Sequence, residues 1–138
     1  MLSLKSLRGD KEEEVTTNVE PEKITCGVKK TEVIDNTITV YLVGDIDAVT
    51  APALPKALKE VLSKHDNIKE VILNLKEARY LSSAGLRGCV EALNICRDYG
   101  INTKDYFKIT ELSKSVYQIF TVTGFAFSFN LEKAEDDE

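Results

Sequence analysis

The sequence predicts an α/β fold: a mixed sheet of four to five strands, begun by an N-terminal β-hairpin, with three to four helices packed mainly on one face. Three observations carry this. Apolar residues alternate after a turn at Asp35-Asn36, two strand-like runs bracket an amphipathic stripe, and further stripes at helical spacing follow the second run. At 138 residues and 43% hydrophobic content, the chain has enough apolar surface for one core.

The first strand is expected from about Ile24 to Ile34, returning as Thr37 to Val43 with Ile38, Val40 and Leu42 on one face. Gly44-Asp45-Ile46-Asp47 reads as the break after it, and Thr50 followed by Pro52 reads as a helix start. In the helix from about Ala51 to Lys64, Ala53, Leu54, Ala57, Leu58, Val61 and Leu62 form a stripe that must cover a sheet. Glu70 to Leu75, apolar and β-branched, is the next strand. Strand, helix and strand at this length imply a right-handed crossover between parallel strands, so both strands end at one edge of the sheet. A helix over about Ala84 to Tyr99 places Leu86, Cys89, Val90, Leu93 and Cys96 inward, and Gly100 ends it. Three elements complete the domain: a strand over Thr103 to Thr110, a helix over Glu111 to Thr123 stopped by Gly124, and a short strand with Phe127, Phe129 and Leu131 alternating as core residues.

The domain is expected over residues 24–131. Residues 1–23 read as a flexible extension whose Leu2, Leu4 and Leu7 are interrupted by Ser and Lys, matching neither a signal peptide nor a membrane span. Residues 132–138 read as an acidic, disordered tail. A net charge of −5 opposes a nucleic-acid surface, which needs clustered Lys and Arg. The cysteines Cys26, Cys89 and Cys96 and the single His65 fall at no metal-ligand spacing, so neither a metal nor a cofactor is expected. Free thiols on an apolar helix face fit a reducing, cytoplasmic setting. No membrane insertion is expected, and the sequence carries no signal for an oligomeric state.

The turn Tyr80-Leu81-Ser82-Ser83-Ala84-Gly85-Leu86 puts two hydroxyls where an apolar strand gives way to a helix. Unpaired backbone N–H groups and the positive end of the helix dipole favour negative charge there, so a phosphoryl group on Ser83 would be stabilised in place. Serine is also a preferred N-cap, and either Ser82 or Ser83 as a plain cap is the competing reading. The parallel crossover brings the Gly44 to Asp47 loop to the same edge, so Asp45 and Asp47 are expected to face Ser83. As residue types, these acids equally suit turn and capping roles.

Taken together, these residues resemble a STAS domain of the bacterial anti-sigma factor antagonist (anti-anti-sigma) family. The resemblance covers about Thr31 to Leu131. It rests on Gly44-Asp45-Ile46-Asp47-Ala48-Val49-Thr50, on Val71-Ile72-Leu73-Asn74-Leu75 leading into Ser82-Ser83-Ala84-Gly85-Leu86, and on Thr123-Gly124-Phe125. It implies the STAS fold, with Ser83 in the place of the phosphorylated serine and Ser82 as an alternative acceptor. It also implies a partner surface of Asp45, Asp47, Thr50, Ser82, Ser83, Ala84, Gly85 and Leu86. Members of the family bind a GHKL-type serine kinase that is also the anti-sigma factor, and when dephosphorylated they displace a sigma factor from it. The kinase inactivates them by phosphorylation and a PP2C-type phosphatase restores them. The commonest pattern has an acid where this chain has Ser82 and a second hydroxyl where it has Ala84.

Two other classes compete. A non-switching STAS module, such as an accessory subunit of a lipid transporter or a scaffold in a sensory complex, would use Ser83 only as a cap. An enzyme with Ser83 as nucleophile would need a base, and His65 falls in the loop before the Glu70 strand, at the opposite edge of the sheet. No phosphate-binding Gly-rich loop is present. The chain is therefore expected not to be an enzyme and to have no catalytic residues.

Overall fold

The computed structural model describes residues 27–135. The expected extension over residues 1–23, the first three residues of the predicted opening strand, and residues 136–138 of the tail lie outside the described residues.

Strands β1 (Gly27–Ile34) and β2 (Thr37–Ile46) pair as the expected antiparallel hairpin about Asp35-Asn36. Helix α1 (Ala53–Lys64) crosses to β3 (Glu70–Leu81), which pairs with β2 in parallel. Helix α2 (Ser83–Asp98), the single-turn α3 (Thr103–Tyr106), β4 (Phe107–Leu112), α4 (Lys114–Val122) and β5 (Asn130–Lys133) follow. The sheet order is β1-β2-β3-β4-β5, with every pairing after the hairpin parallel.

Side chains along β2 alternate strictly. Ile38, Val40, Leu42 and Ile46 are buried, and Val71, Leu73, Leu75, Phe107, Ile109 and Leu112 continue this layer across the sheet. Onto it pack Leu54, Leu58 and Leu62 of α1, Leu86, Cys89 and Cys96 of α2, and Val116 and Phe120 of α4. Full burial of a side chain such as Phe107 or Phe120 contributes about 1.5–3 kcal/mol. The other side of the sheet is polar. Lys29 pairs with Glu77 at 3.1 Å, Lys108 with Glu70 at 3.3 Å, and the Tyr41 hydroxyl donates to Glu32 at 2.9 Å.

Four expectations are corrected. First, β2 runs through Gly44-Asp45 to Ile46, and β3 runs past Leu75 to Leu81, because the two extensions pair with each other. The Asp45↔Tyr80 and Ile46↔Leu81 pairings bury Ile46 and Leu81, a non-local gain that turn-forming residue types do not reveal. Second, Thr103 to Tyr106 is a helical turn, with the Tyr106 backbone amide donating to the Asn102 carbonyl at 2.8 Å and the Asn102 side-chain Nδ2 donating to the Asp105 carboxylate at 3.0 Å; the strand starts only at Phe107. Third, α4 begins at Lys114, because the Ser113 hydroxyl caps it by accepting from the Val116 amide at 3.2 Å; Glu111 and Leu112 belong to β4.

Fourth, Phe127 is 96% exposed, not in the core. Gly124, at φ of +84°, ends α4, and a 3-10 turn over Phe125–Ser128 changes the alternation. Phe129 is then the aromatic that packs inward, 6.2 Å from the Phe107 ring and edge-on to Phe120 at 5.8 Å. The last strand reaches Lys133 and so takes in two residues assigned to the tail.

Candidate functional site

The parallel pairing of β2 and β3 brings their C-terminal ends together, and the site lies where these ends pass into the 47–52 loop and into α2. Asp47 closes the loop. Its carboxylate accepts from the Val49 amide at 3.0 Å and the Thr50 amide at 3.2 Å, and its own amide donates to the Thr50 hydroxyl at 2.9 Å. That hydroxyl donates back to the Asp45 carbonyl at 2.7 Å, and the Ala51 amide reaches the Asp47 carbonyl at 2.7 Å. The Thr50 and Val49 amides hold the Asp47 carboxyl below the usual carboxylate range. Thr50 is thus engaged within the loop and sets its shape.

Ser82 joins this loop to the next turn. Its amide donates to the Ile46 carbonyl at 3.0 Å, and its hydroxyl lies 3.4 Å from the same oxygen. The same hydroxyl accepts from the Gly85 amide at 3.3 Å, which makes Ser82 the N-cap of α2. Between the two competing caps the geometry chooses Ser82. Ser83 is the first helical residue, exposed, and its hydroxyl bonds to no described residue.

Gly85 holds the turn close from beneath. A Cβ at this position would run into the Ile46 carbonyl oxygen and press on Leu81, so only glycine lets α2 seat against the end of β2. Leu86 is buried in the core beside it. Of the eight residues assigned to a partner surface, Gly85 and Leu86 therefore support the turn from inside. Asp45, Asp47, Ser83 and Ala84 retain solvent exposure, and Ser82 is half-buried.

Three surrounding residues escaped sequence reasoning. Arg79 pairs with Asp45 at 3.4 Å, so that acid faces a neighbouring cation as well as the turn. Val49, 87% exposed, and Tyr80, 50% exposed, give the rim an apolar character. The register Asp45↔Tyr80 sets this grouping, and it becomes readable only once β2 and β3 are known to extend.

His65 caps the far end of α1, and the 12-residue strand β3 separates that end of the sheet from Ser83 by roughly 36 Å of extended chain. It is not placed to activate Ser83. Cys89 and Cys96 are buried free thiols, and burial pushes each up to about 12. Among the described residues no cluster of His, Cys, Asp or Glu could hold a metal ion, and no helix is long and apolar enough to cross a membrane.

The model of the STAS domain family matches residues 29–138. Among solved structures, an anti-sigma factor antagonist from Mycobacterium paratuberculosis is 26% identical, over 85% of this chain and 92% of that one, with a TM-score of 0.62. The anti-sigma factor antagonist SpoIIAA in its unphosphorylated form is 13% identical over 77% of this chain and 88% of that one, with a TM-score of 0.60. A sulfate transporter family protein from Wolinella succinogenes is 17% identical over 76% and 84%, with a TM-score of 0.59. No curated protein matches the chain. The family match covers most of the sequence, its fold recurs in these neighbours, and the chain belongs to the STAS domain family.

Proposed function

We propose that this domain is an anti-sigma factor antagonist that works by partner switching. Unphosphorylated, it binds a GHKL-type serine kinase that doubles as the anti-sigma factor and releases the sigma factor or other target held there. Phosphorylation of Ser83 by that kinase ends the interaction, and a PP2C-type phosphatase restores it. No enzymatic role is assigned to the domain itself, and its place is the cytoplasm.

The observation that carries this reading is the division of roles between the two serines. Ser82 is tied to Ile46 and Gly85, whereas the Ser83 hydroxyl stands exposed at the first turn of α2. An acceptor must enter a kinase site, which favours Ser83 over Ser82. Phosphorylation adds a charge of about −1.5 to −2, which the helix N-terminus stabilises in the free protein. Burying that charge against a partner costs its hydration, and Asp45 and Asp47 at the same edge add like-charge repulsion. One group can thus change affinity without refolding the domain.

The test is calorimetric titration of the kinase with the wild type, Ser83→Ala and Ser83→Asp, beside fragmentation mass spectrometry of the protein from its own cells. Ser83→Ala is expected to bind like the unphosphorylated wild type and Ser83→Asp to bind about tenfold or more weakly. Equal affinities would overturn the switch.

One observation favours a second reading, a non-switching STAS binding module or soluble accessory subunit. The cap position holds a neutral Ser82 where the commonest family pattern has an acid, and the fold is shared with a sulfate transporter family protein. Absence of phosphate at Ser82 and Ser83 under both stress and rest is the result that selects it.

A further inference from the structure

We propose that Arg87 is the internal partner of a phosphate on Ser83, so that phosphorylation withdraws a cation from the docking face as well as adding an anion to it. This rests on the reading of Ser83 as the phosphorylated residue.

Ser83, Arg87 and Glu91 are exposed residues at successive four-residue steps of α2, while Gly85, Leu86, Cys89 and Ala92 hold the opposite face in the core. Residues four apart on a helix are surface neighbours, with Cβ atoms about 5–6 Å apart. Helical side chains lean toward the N-terminus, so Arg87 is placed for its guanidinium to reach back over Ser83. Among the described residues Arg87 forms no ion pair, whereas the other arginine near the turn, Arg79, is already paired with Asp45 at 3.4 Å. The guanidinium fork matches two phosphate oxygens, and a dianionic phosphate is a stronger acceptor than the Glu91 carboxylate.

The consequence is a change at two residues from one modification. In the unmodified protein Arg87 projects from the first turns of α2 as a cation open to a partner. With phosphate on Ser83 it folds back onto its own helix. The surface then loses an available positive charge and gains the remaining negative charge of the phosphate.

The experiment uses the full chain with phosphoserine placed at position 83 during translation, so that no kinase is needed. The second phosphate ionisation is followed by phosphorus NMR against pH. A neighbouring cation favours the dianion, so Arg87→Gln should raise that pKa by about 0.15–0.4 of a unit relative to the wild-type background. Arg87→Lys should restore part of the shift, and Arg79→Gln should leave the titration unchanged. Identical titrations for the wild type and Arg87→Gln would overturn the proposal, as would a shift produced by Arg79→Gln alone. Because the phosphoserine is incorporated during translation, the result is independent of kinase choice. A shifted titration with equal kinase affinities for the Ser83 variants would keep the Arg87 contact and remove the switch.

Discussion

Ser82 meets Ile46 twice, its amide at 3.0 Å and its hydroxyl at 3.4 Å from the same carbonyl oxygen. This relationship ties the start of α2 to the end of β2, one residue before Asp47. The Asp45 to Asp47 loop and the Ser82 to Ala84 turn, separated by a whole helix and strand in sequence, are held as one surface by these contacts.

Because Ser82 supplies the cap, Ser82→Ala should cost about 1 kcal/mol, roughly 4–6 °C in melting temperature. Ser82→Asp should preserve stability, since a carboxylate caps equally well and suits the helix dipole. Thermal melts of the two variants check this. A melting temperature for Ser82→Ala equal to the wild type would remove Ser82 from the capping role.

Gly85→Ala forces the new Cβ onto backbone, which cannot move aside like a flexible side chain, and should destabilise the domain by about 1–3 kcal/mol. Gly88→Ala is the comparison, since its Cβ would meet Ala51 at an ordinary 3.5 Å; with Gly replaced inside a helix, it should be neutral or stabilising by up to about 1 kcal/mol. Urea unfolding of both, on the same day and at the same slope, gives the contrast.

Asp47 should contribute stability in a pH-dependent way. Its folded pKa lies below the ordinary value because the Thr50 and Val49 amides favour the charged form. Its stabilisation is therefore complete above the unfolded pKa of about 4 and is lost as pH falls through the folded value. Asp47→Ala should be less stable than the wild type near neutrality, and the gap should narrow as urea melts are taken from about pH 5 toward about pH 2. A gap that stays constant would assign the loss to loop shape alone.

The two phenylalanines that sequence alternation treats alike should behave oppositely. Phe129→Ala removes the ring packed on Phe107 and Phe120 and should cost about 3 kcal/mol or more. Phe127→Ala, at an exposed position, should stay within about 0.5 kcal/mol of the wild type. Equal losses in chemical denaturation would place Phe127 in a packed environment.

Periodicity determined much of this protein. The hairpin at Asp35-Asn36, the inward faces of α1 and α2, and the stop of α4 at Gly124 all follow from side-chain spacing and local backbone preference. The two-strand, one-helix order also placed Asp45, Asp47 and Ser83 at one edge, because a parallel crossover admits no other arrangement. Tertiary structure decided what depends on residues distant in the chain. Strands β2 and β3 outrun their turn-like sequences because each supplies the other's hydrogen bonds and buries its end. Gly85 is required by an oxygen of Ile46, 39 positions away in the chain by the difference of their numbers, and Arg79 finds Asp45 only across the sheet. The choice between Ser82 and Ser83 belongs to this class as well. Two adjacent serines have the same intrinsic capping preference, and only the carbonyl of Ile46 beside one of them decides which hydroxyl is engaged and which is left at the surface.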